Sequence, residues 1–401
     1  MKKQFKRVFV IVIDSVGIGA MPDAAEFGDE GASTVEHISL SMPEGLKLPV
    51  LGSLGIGQLT NIVGTPAVKV HPNSYVARMH EASFGKDTMT GHWEIMGLLT
   101  TEPFQTFTDT GFPKELLEEL EKRTGYKVIG NIAASGTEIM AKLGEESMRD
   151  NSIIVYTSAD SVLQVCANEN VIGLENLYKV CETARDICMK PEWRVGRVIA
   201  RPFVGDTPAN FKRTPNRHDW ALSPSGTTAL DILKDNGYMV SAIGKIKDIY
   251  NGVGIVESQK IVSNEDGMDK VIEIAKNRDF EGLVFTNLVE FDSEYGHRRN
   301  PIGYGQALEA FDLRLGQLVE ELNEDDLVIV TADHGNDPTF KGTDHTREMV
   351  PLVAYSSSYK NGRKLADRFS FADLGATVLE NFGLEKAENM IGLVIEPLLE
   401  D

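Results

Sequence analysis

An α/β fold built on a mostly parallel sheet flanked by helices is predicted by three features of this 401-residue chain. The first is a set of apolar runs without polar alternation at residues 8–13, 283–289 and 327–330, the pattern of strands buried on both faces. The second is their alternation with helical-period stretches, which fits helices crossing over a parallel sheet. The third is an acid, Asp14, Asp292 or Asp333, shortly after each run. Ligands in open α/β sheets lie beyond the carboxyl ends of the strands, so these carboxylates are expected along one edge.

Taken in order, residues 8–13 form a strand, and Ser15-Val16-Gly17-Ile18-Gly19 turns away from it. Alone, Asp14 reads equally well as a cap or a turn residue. Gly85 opens a turn, and from Met89 the chain is expected to wind into a helix with Thr88 at or near its N-terminus. Free N–H groups and the helix dipole favour an anion there. A threonine hydroxyl is a nucleophile only with help from a base or a metal. The plainer alternative is a capping threonine. Lys86 either steers phosphate or is a solvated surface residue.

From 104 to 220 the character changes. Pro113 to Arg123 is an amphipathic helix closed by Gly125, 127–129 and 152–156 are strand-like, and Leu174 to Cys188 is helical. Thr157 to Ser161 is a polar run suited to sugar hydroxyls. A strand at 195–199 carries Arg197, with Arg201 just beyond. Lys212 to Asp219, which includes Arg217, is basic and broken by proline, fitting phosphate recognition or simply paired surface charge. Beyond 220 the alternation resumes: helix 225–233, strand 238–243 ending at Gly244-Lys245, helix 267–276, strand 283–289, helix 305–322, strand 350–355 and helix 371–382.

Composition narrows the function. A net charge of −20 argues against nucleic-acid or anionic-membrane partners, which reward a basic face. The basic start at residues 1–7 resembles a leader, but Asp14 halts the apolar run too soon for one. No run approaches the roughly 18 apolar residues of a membrane span. Cys166, Cys181 and Cys188 lack C-x-x-C spacing and read as reduced thiols of a cytoplasmic protein.

His297 trails Asp292, His334 adjoins Asp333, and Thr343-Asp344-His345 adds a third imidazole, with Gly335 and Gly342 allowing the turns that bring it back. Asp and His without Cys suit a divalent metal, and six such ligands suffice for two. A metal at Thr88 would supply the activation its hydroxyl lacks. Because the ligands come from both ends of the chain, the core is expected to be discontinuous, residues 1–103 with 221–401, and 104–220 to be an inserted α+β cap.

Together, Asp14, Lys86-Asp87-Thr88-Met89-Thr90-Gly91-His92-Trp93-Glu94, Asp292 with His297, Thr331-Ala332-Asp333-His334-Gly335-Asn336-Asp337 and Asp344-His345 resemble the bacterial phosphopentomutases of the alkaline phosphatase superfamily. The resemblance runs through the insertion, including 155–161 and 201–205. It implies an alkaline-phosphatase-like core, one metal on Asp292, His297 and His345, and another on Asp14, Asp333, His334 and Thr88. It further implies Mn²⁺, a phosphorylated Thr88, and interconversion of ribose 1-phosphate with ribose 5-phosphate and of their 2-deoxy forms. Priming would come from a sugar bisphosphate such as glucose 1,6-bisphosphate. Ser158, Asp160, Arg197, Arg201 and Arg217 are candidates for contacting the sugar phosphate. The alternatives on the same scaffold are a metal-dependent phosphatase and a cofactor-independent phosphoglycerate mutase; a third is a non-catalytic metal- or sugar-phosphate-binding protein. A monomer is expected, since a cap needs freedom to move.

Overall fold

Residues 5–158 and 161–400 are described by the computed structural model; Asp160 falls outside them. From the N-terminus come β1 (Arg7–Ile13), α1 (Thr34–Ser41), α2 (Pro49–Leu54), β2 (Ser74–Met79), α3 (Thr88–Ile95), α4 (Lys114–Thr124), β3 (Val128–Ala133) and α5 (Gly136–Asp150). There follow β4 (Ile153–Thr157), β5 (Val162–Asn168), α6 (Leu174–Ile187), β6 (Arg197–Val204), β7 (Lys212–Arg213), β8 (His218–Ala221), α7 (Ala229–Asp235) and β9 (Met239–Ile243). The chain ends through α8 (Ile246–Ile249), β10 (Glu257–Gln259), α9 (Asn264–Asn277), β11 (Gly282–Leu288), α10 (Pro301–Glu321), β12 (Asp326–Thr331), β13 (Val350–Tyr355), β14 (Arg363–Lys364) and α11 (Asp373–Asn381).

Two units emerge, residues 1–102 with 223–401, and residues 103–222. The first holds an eight-stranded sheet in the order β10-β9-β11-β1-β12-β13-β2-β14. It is parallel from β10 to β12, and β13 runs antiparallel to both neighbours. β1 is central and buried along its whole length, as its unbroken apolar run requires. Its register places Ile13 opposite Leu288 and Val12 opposite Thr331. The three strands therefore end at one level, and the residues just beyond them share an edge.

The second unit orders its strands β3-β4-β5-β6-β7, with β8 also on β6. Alternate residues of β4 serve two apolar layers. Ile153 and Val155 pack with Leu116, Leu120, Leu177 and Val180 of α4 and α6, whereas Ile154 and Tyr156 pack with Ile139 and Met140 of α5.

Some boundaries differ from expectation. α7 begins at Ala229 rather than Ser225, because Thr228 and Asp231 form a capping box there. α9 starts at Asn264, where Ser263 Oγ accepts from Asp266 N at 3.1 Å. α1, α2, α5, α8, β2, β5, β7, β8, β10 and β14 have no counterpart in the sequence reading. No described helix is long and apolar enough to cross a membrane.

Candidate active site

β1 delivers Asp14, and β12 delivers Asp333 and His334. A short π-helix after β11, Phe291–Gly296, carries Asp292 and ends at His297. His345 returns through a bridge in which Gly335 and Thr346 exchange backbone hydrogen bonds of 3.1 and 2.9 Å. A Cβ on Gly335 would stand 2.5 Å from Glu348 Oε1, so a side chain there would have to displace the buried Glu348 carboxylate.

The ligand atoms gather in two triplets, Asp292/His297/His345 and Asp14/Asp333/His334, each with its atoms within 4.8 Å of one another. The His334 and His345 rings stack at 3.9 Å between centroids, so the triplets are adjacent. Thr88 Oγ1 lies 3.2 Å from His334 Nε2.

The imidazoles share one orientation. His297 Nδ1 donates to Thr343 O at 2.8 Å, His345 Nδ1 to Lys86 O at 2.9 Å and His334 Nδ1 to Gly335 O at 3.0 Å. A carbonyl only accepts, so each Nδ1 holds the proton and each neutral ring turns an Nε2 lone pair inward. His297 and His345 then point their Nε2 atoms at each other across 3.1 Å, which is repulsive unless a proton or a cation lies between. In the other triplet, Asp14 Oδ1 and Asp333 Oδ2 are buried with no hydrogen-bond partner among the described residues. These four unsatisfied atoms, two carboxylate oxygens and two imidazole nitrogens, with His334 Nε2 beside them, fit two divalent cations.

The electrostatics agree. Burial, reinforced by Asp333 and Asp292, drives the Asp14 carboxyl well above its ordinary range. Burial also opposes ionisation of Asp292 and Asp333, but His345 with His297, and His334 with His92, outweigh it and hold both carboxyls low. Burial lowers His334, while Asp292 overcomes burial to raise His297.

Thr88 stands at the N-terminus of the helix as expected, and only its alternative role as the cap needs correction. Thr88 is the first residue of α3 rather than its cap. Asp87 is the cap: its Oδ1 accepts from Met89 N at 3.0 Å and Thr90 N at 3.1 Å, and its Oδ2 accepts from Thr90 Oγ1 at 2.6 Å. Two of the amides expected to greet an anion, those of Met89 and Thr90, are already taken by a carboxylate. α3 also sits hard against the Asp333 loop, since a Cβ on Gly91 would lie 2.1 Å from Asp333 O.

A family model described as Metalloenzyme superfamily matches residues 6–386. Relatives named phosphopentomutase from Clostridium beijerinckii, Clostridium botulinum and Clostridium tetani are each 55% identical, over 390, 398 and 400 residues. The matches cover 97%, 99% and 99% of this chain and 98%, 100% and 100% of theirs. The chain belongs to the phosphopentomutase family of that superfamily.

The remaining candidates can be placed in this phosphopentomutase scaffold. Lys86 Nζ donates to Asp29 Oδ2 at 2.9 Å and pairs with Asp344 Oδ2 at 3.0 Å, so it is anchored beside His345 rather than loose in solvent. Arg197, Arg201 and Arg217 all act on Asp219 and help hold its carboxyl low against burial. Arg217 grips that carboxylate through two bonds of 2.7 Å, and Arg201 Nε donates to Gln164 at 3.0 Å. Ser158 uses its carbonyl to accept from Thr108 Oγ1 at 2.9 Å.

Several residues at the site have no role assigned in the sequence reading. His92, one helical turn after Thr88, donates Nδ1 to Thr88 O at 2.8 Å and stands 3.1 Å from Asp333 Oδ2. Asn287 donates to Asp14 Oδ2 at 2.8 Å, and Asn336 to Asp292 Oδ1 at 2.7 Å. Lys245, at the end of β9, is near enough to pull the Asp14 carboxyl down. The available signals were the four-residue spacing of Thr88 and His92, an amide alone in an apolar strand, and a lysine where other strands end in Asp.

Proposed function

We propose that the protein interconverts ribose 1-phosphate and ribose 5-phosphate, and their 2-deoxy forms, through a phosphorylated Thr88. The observation that carries this reading is the place of Thr88 Oγ1, 3.2 Å from His334 Nε2 and at the first turn of a capped helix. Asp292, His297 and His345 would hold one divalent cation, and Asp14, Asp333 and His334, with Thr88, the other. Mn²⁺ suits the mixed carboxylate and imidazole donors. When bound, the pair supplies Lewis-acid stabilisation of the attacking and leaving oxygens in phosphoryl transfer.

The chain's own residues do the rest. Asp87 and His92 fix the backbone on either side of the Thr88 Oγ1. The phosphoryl passes from Thr88 to the free hydroxyl of the pentose monophosphate: the P–O bond to threonine breaks, one to the sugar forms, and the proton the sugar hydroxyl loses is balanced by the one the Thr88 oxygen regains. The resulting bisphosphate turns, and its other phosphoryl returns to Thr88, releasing the isomer. A resting Thr88 needs a first phosphoryl, which a sugar bisphosphate such as glucose 1,6-bisphosphate would supply. Residues 103–222 are assigned the cap's task on chemical grounds, because a mutase must keep water from the phosphothreonine and retain the bisphosphate. Ser158, Asp160, Arg197, Arg201 and Arg217 are the cap residues proposed for the sugar phosphate. The working form is taken to be a cytoplasmic monomer.

The test is Mn²⁺-loaded protein incubated with glucose 1,6-bisphosphate and then ribose 1-phosphate. Mass spectrometry should find phosphate on Thr88, and ribose 5-phosphate should accumulate with little free phosphate. Thr88→Ala should lose turnover by at least about a thousandfold, as expected for a covalent nucleophile, and still melt cooperatively. Near-normal isomerisation by Thr88→Ala would remove the nucleophile assignment. Phosphate release without isomer would indicate a phosphatase.

A further inference from the structure

Ser15 follows a metal-ligand candidate, is fully buried, and has a φ of +66°. That left-handed conformation is costly for a residue with a Cβ and free for glycine. Glycines stand nearby at Gly17 and Gly19, yet this position carries a side chain. Strain of this kind persists where surrounding structure imposes it.

All the polar atoms of Ser15 are engaged. Its N–H donates to Asp333 Oδ1 at 3.1 Å, which leaves Oδ2 as that carboxylate's open oxygen. Its carbonyl accepts from Asn336 N at 3.1 Å, and Asn336 Nδ2 in turn donates to Asp292 Oδ1 at 2.7 Å. Its Oγ lies 2.8 Å from the hydroxyl of Tyr304, a fully buried residue of α10. The Tyr304 hydroxyl donates to Asp14 O at 3.3 Å, so the arrangement that uses both protons has Ser15 Oγ–H donating to Tyr304. One residue thus reaches Asp14 through the chain, Asp333 through its amide and Asp292 through Asn336.

We propose that Ser15 is a positioning residue: a left-handed joint, closed by its hydroxyl bond to Tyr304, that aims the Asp14 and Asp333 carboxylates at their cation. This rests on the two-cation reading above. Without the hydroxyl bond nothing on the side chain holds the strained turn. The Asp14–Ser15 peptide then relaxes, and both Asp14 and the Ser15 N–H to Asp333 lose their aim. If the turn were only a convenient path for the chain, deleting either hydroxyl would leave cation binding unchanged.

The experiment is calorimetric titration of Mn²⁺ into metal-stripped full-length protein, well below the melting temperature of each form. Wild type should take up two equivalents. Ser15→Ala and Tyr304→Phe should each weaken one equivalent by about tenfold, the usual loss when the partner behind a ligand is removed. The double variant should lose no more than the larger single loss, because both hydroxyls serve one bond. Ser15→Gly should recover both the melting temperature and most of the Mn²⁺ affinity lost in Ser15→Ala, because glycine keeps the left-handed turn without the hydroxyl bond. In Tyr304→Phe, kcat should fall with the affinity while KM for ribose 1-phosphate stays within about twofold. Should Ser15→Ala fail to fold, Tyr304→Phe decides, since it keeps the buried ring. Wild-type Mn²⁺ affinity in Tyr304→Phe overturns the proposal. Fewer than two equivalents in wild type would instead sink the two-cation reading, and this proposal with it.

Discussion

Asp14 is buried beside Asp333 with one oxygen unpartnered, and the result is a carboxyl whose ionised form is disfavoured in the metal-free fold. A carboxyl raised on folding takes stability away as pH climbs past its ordinary range, because the folded state resists the charge the unfolded state accepts. Asp14→Asn keeps an acceptor for Asn287 Nδ2 and removes that burden. In EDTA at pH 7 the variant should melt higher than wild type by about 1–4 °C. Added Mn²⁺ should raise wild type more than the variant, which keeps the Asp292/His297/His345 triplet but lacks one ligand of the other; a lower melting temperature for the variant in EDTA would show that the charge is not the burden. The same contrast explains what could be read at this scale. Asp14, Asp292, Asp333, His297, His334 and His345 announce themselves because few residue types bind metal. Ser15, Asn287 and Asn336 do their work through orientation, and nothing in their chemistry distinguishes them from ordinary polar residues until the strands are laid side by side.

α3 shows how an element can be placed correctly while part of its terminus is put to another use. Its start was legible from Gly85 and the residues after Thr88, and its N-terminus looked like an anion cradle. The cradle is filled by Asp87, which satisfies two amides and the Thr90 hydroxyl. The cap therefore fixes Thr88 and takes the Met89 and Thr90 amides out of use as phosphate donors. Asp87→Ala should cost about 1 kcal/mol of stability, the ordinary value of a lost cap. It should cut kcat by about tenfold or more, because the loosened turn is the one that carries Thr88. Asp87→Asn, itself a good cap, should restore most of both. A variant that loses stability but keeps full kcat would make Asp87 a cap and nothing more. Elsewhere, elements were legible where sequence signals were undiluted: β1, β11 and β12 are continuous apolar runs. α5 was missed because Gly136 and Gly144 break its helical signal. Gly144 is required there, since a Cβ would lie 2.5 Å from the Phe211 ring. α7 was drawn too early because Ser225 and Gly226 look like a start, whereas the capping box sits at Thr228.

Chain order and sheet order disagree in this molecule, and the disagreement dictates how it must fold. β1 lies between β11 and β12, so the strand nearest the N-terminus is completed only by segments more than 260 residues later. Arg7 makes this concrete: from the start of β1 it forms a buried bidentate pair with Asp326, at 2.7 and 2.6 Å, and also donates to the carbonyl of Arg278. Residues 103–222 have no such dependence. They are contiguous, carry their own sheet, and bury their own apolar layers on both sides of β4. A segment of that size can bury enough surface to stand alone. Expressed by itself, 103–222 should give dispersed amide NMR signals and a single cooperative melt. Fragment 223–401, expressed alone, should not: it would expose the flanks of β11 and β12 where β1 belongs, and leave Asp326 buried or exposed without Arg7. Its expected state is aggregated or poorly dispersed, rescued at least in part by co-expression with 1–102. A cooperative melt of 223–401 alone would mean that β1 is an addition to a finished sheet. The metal triplets, which take Asp14 from the first segment and the other five side chains from the last, would then be assembled on a core that had already folded without Asp14.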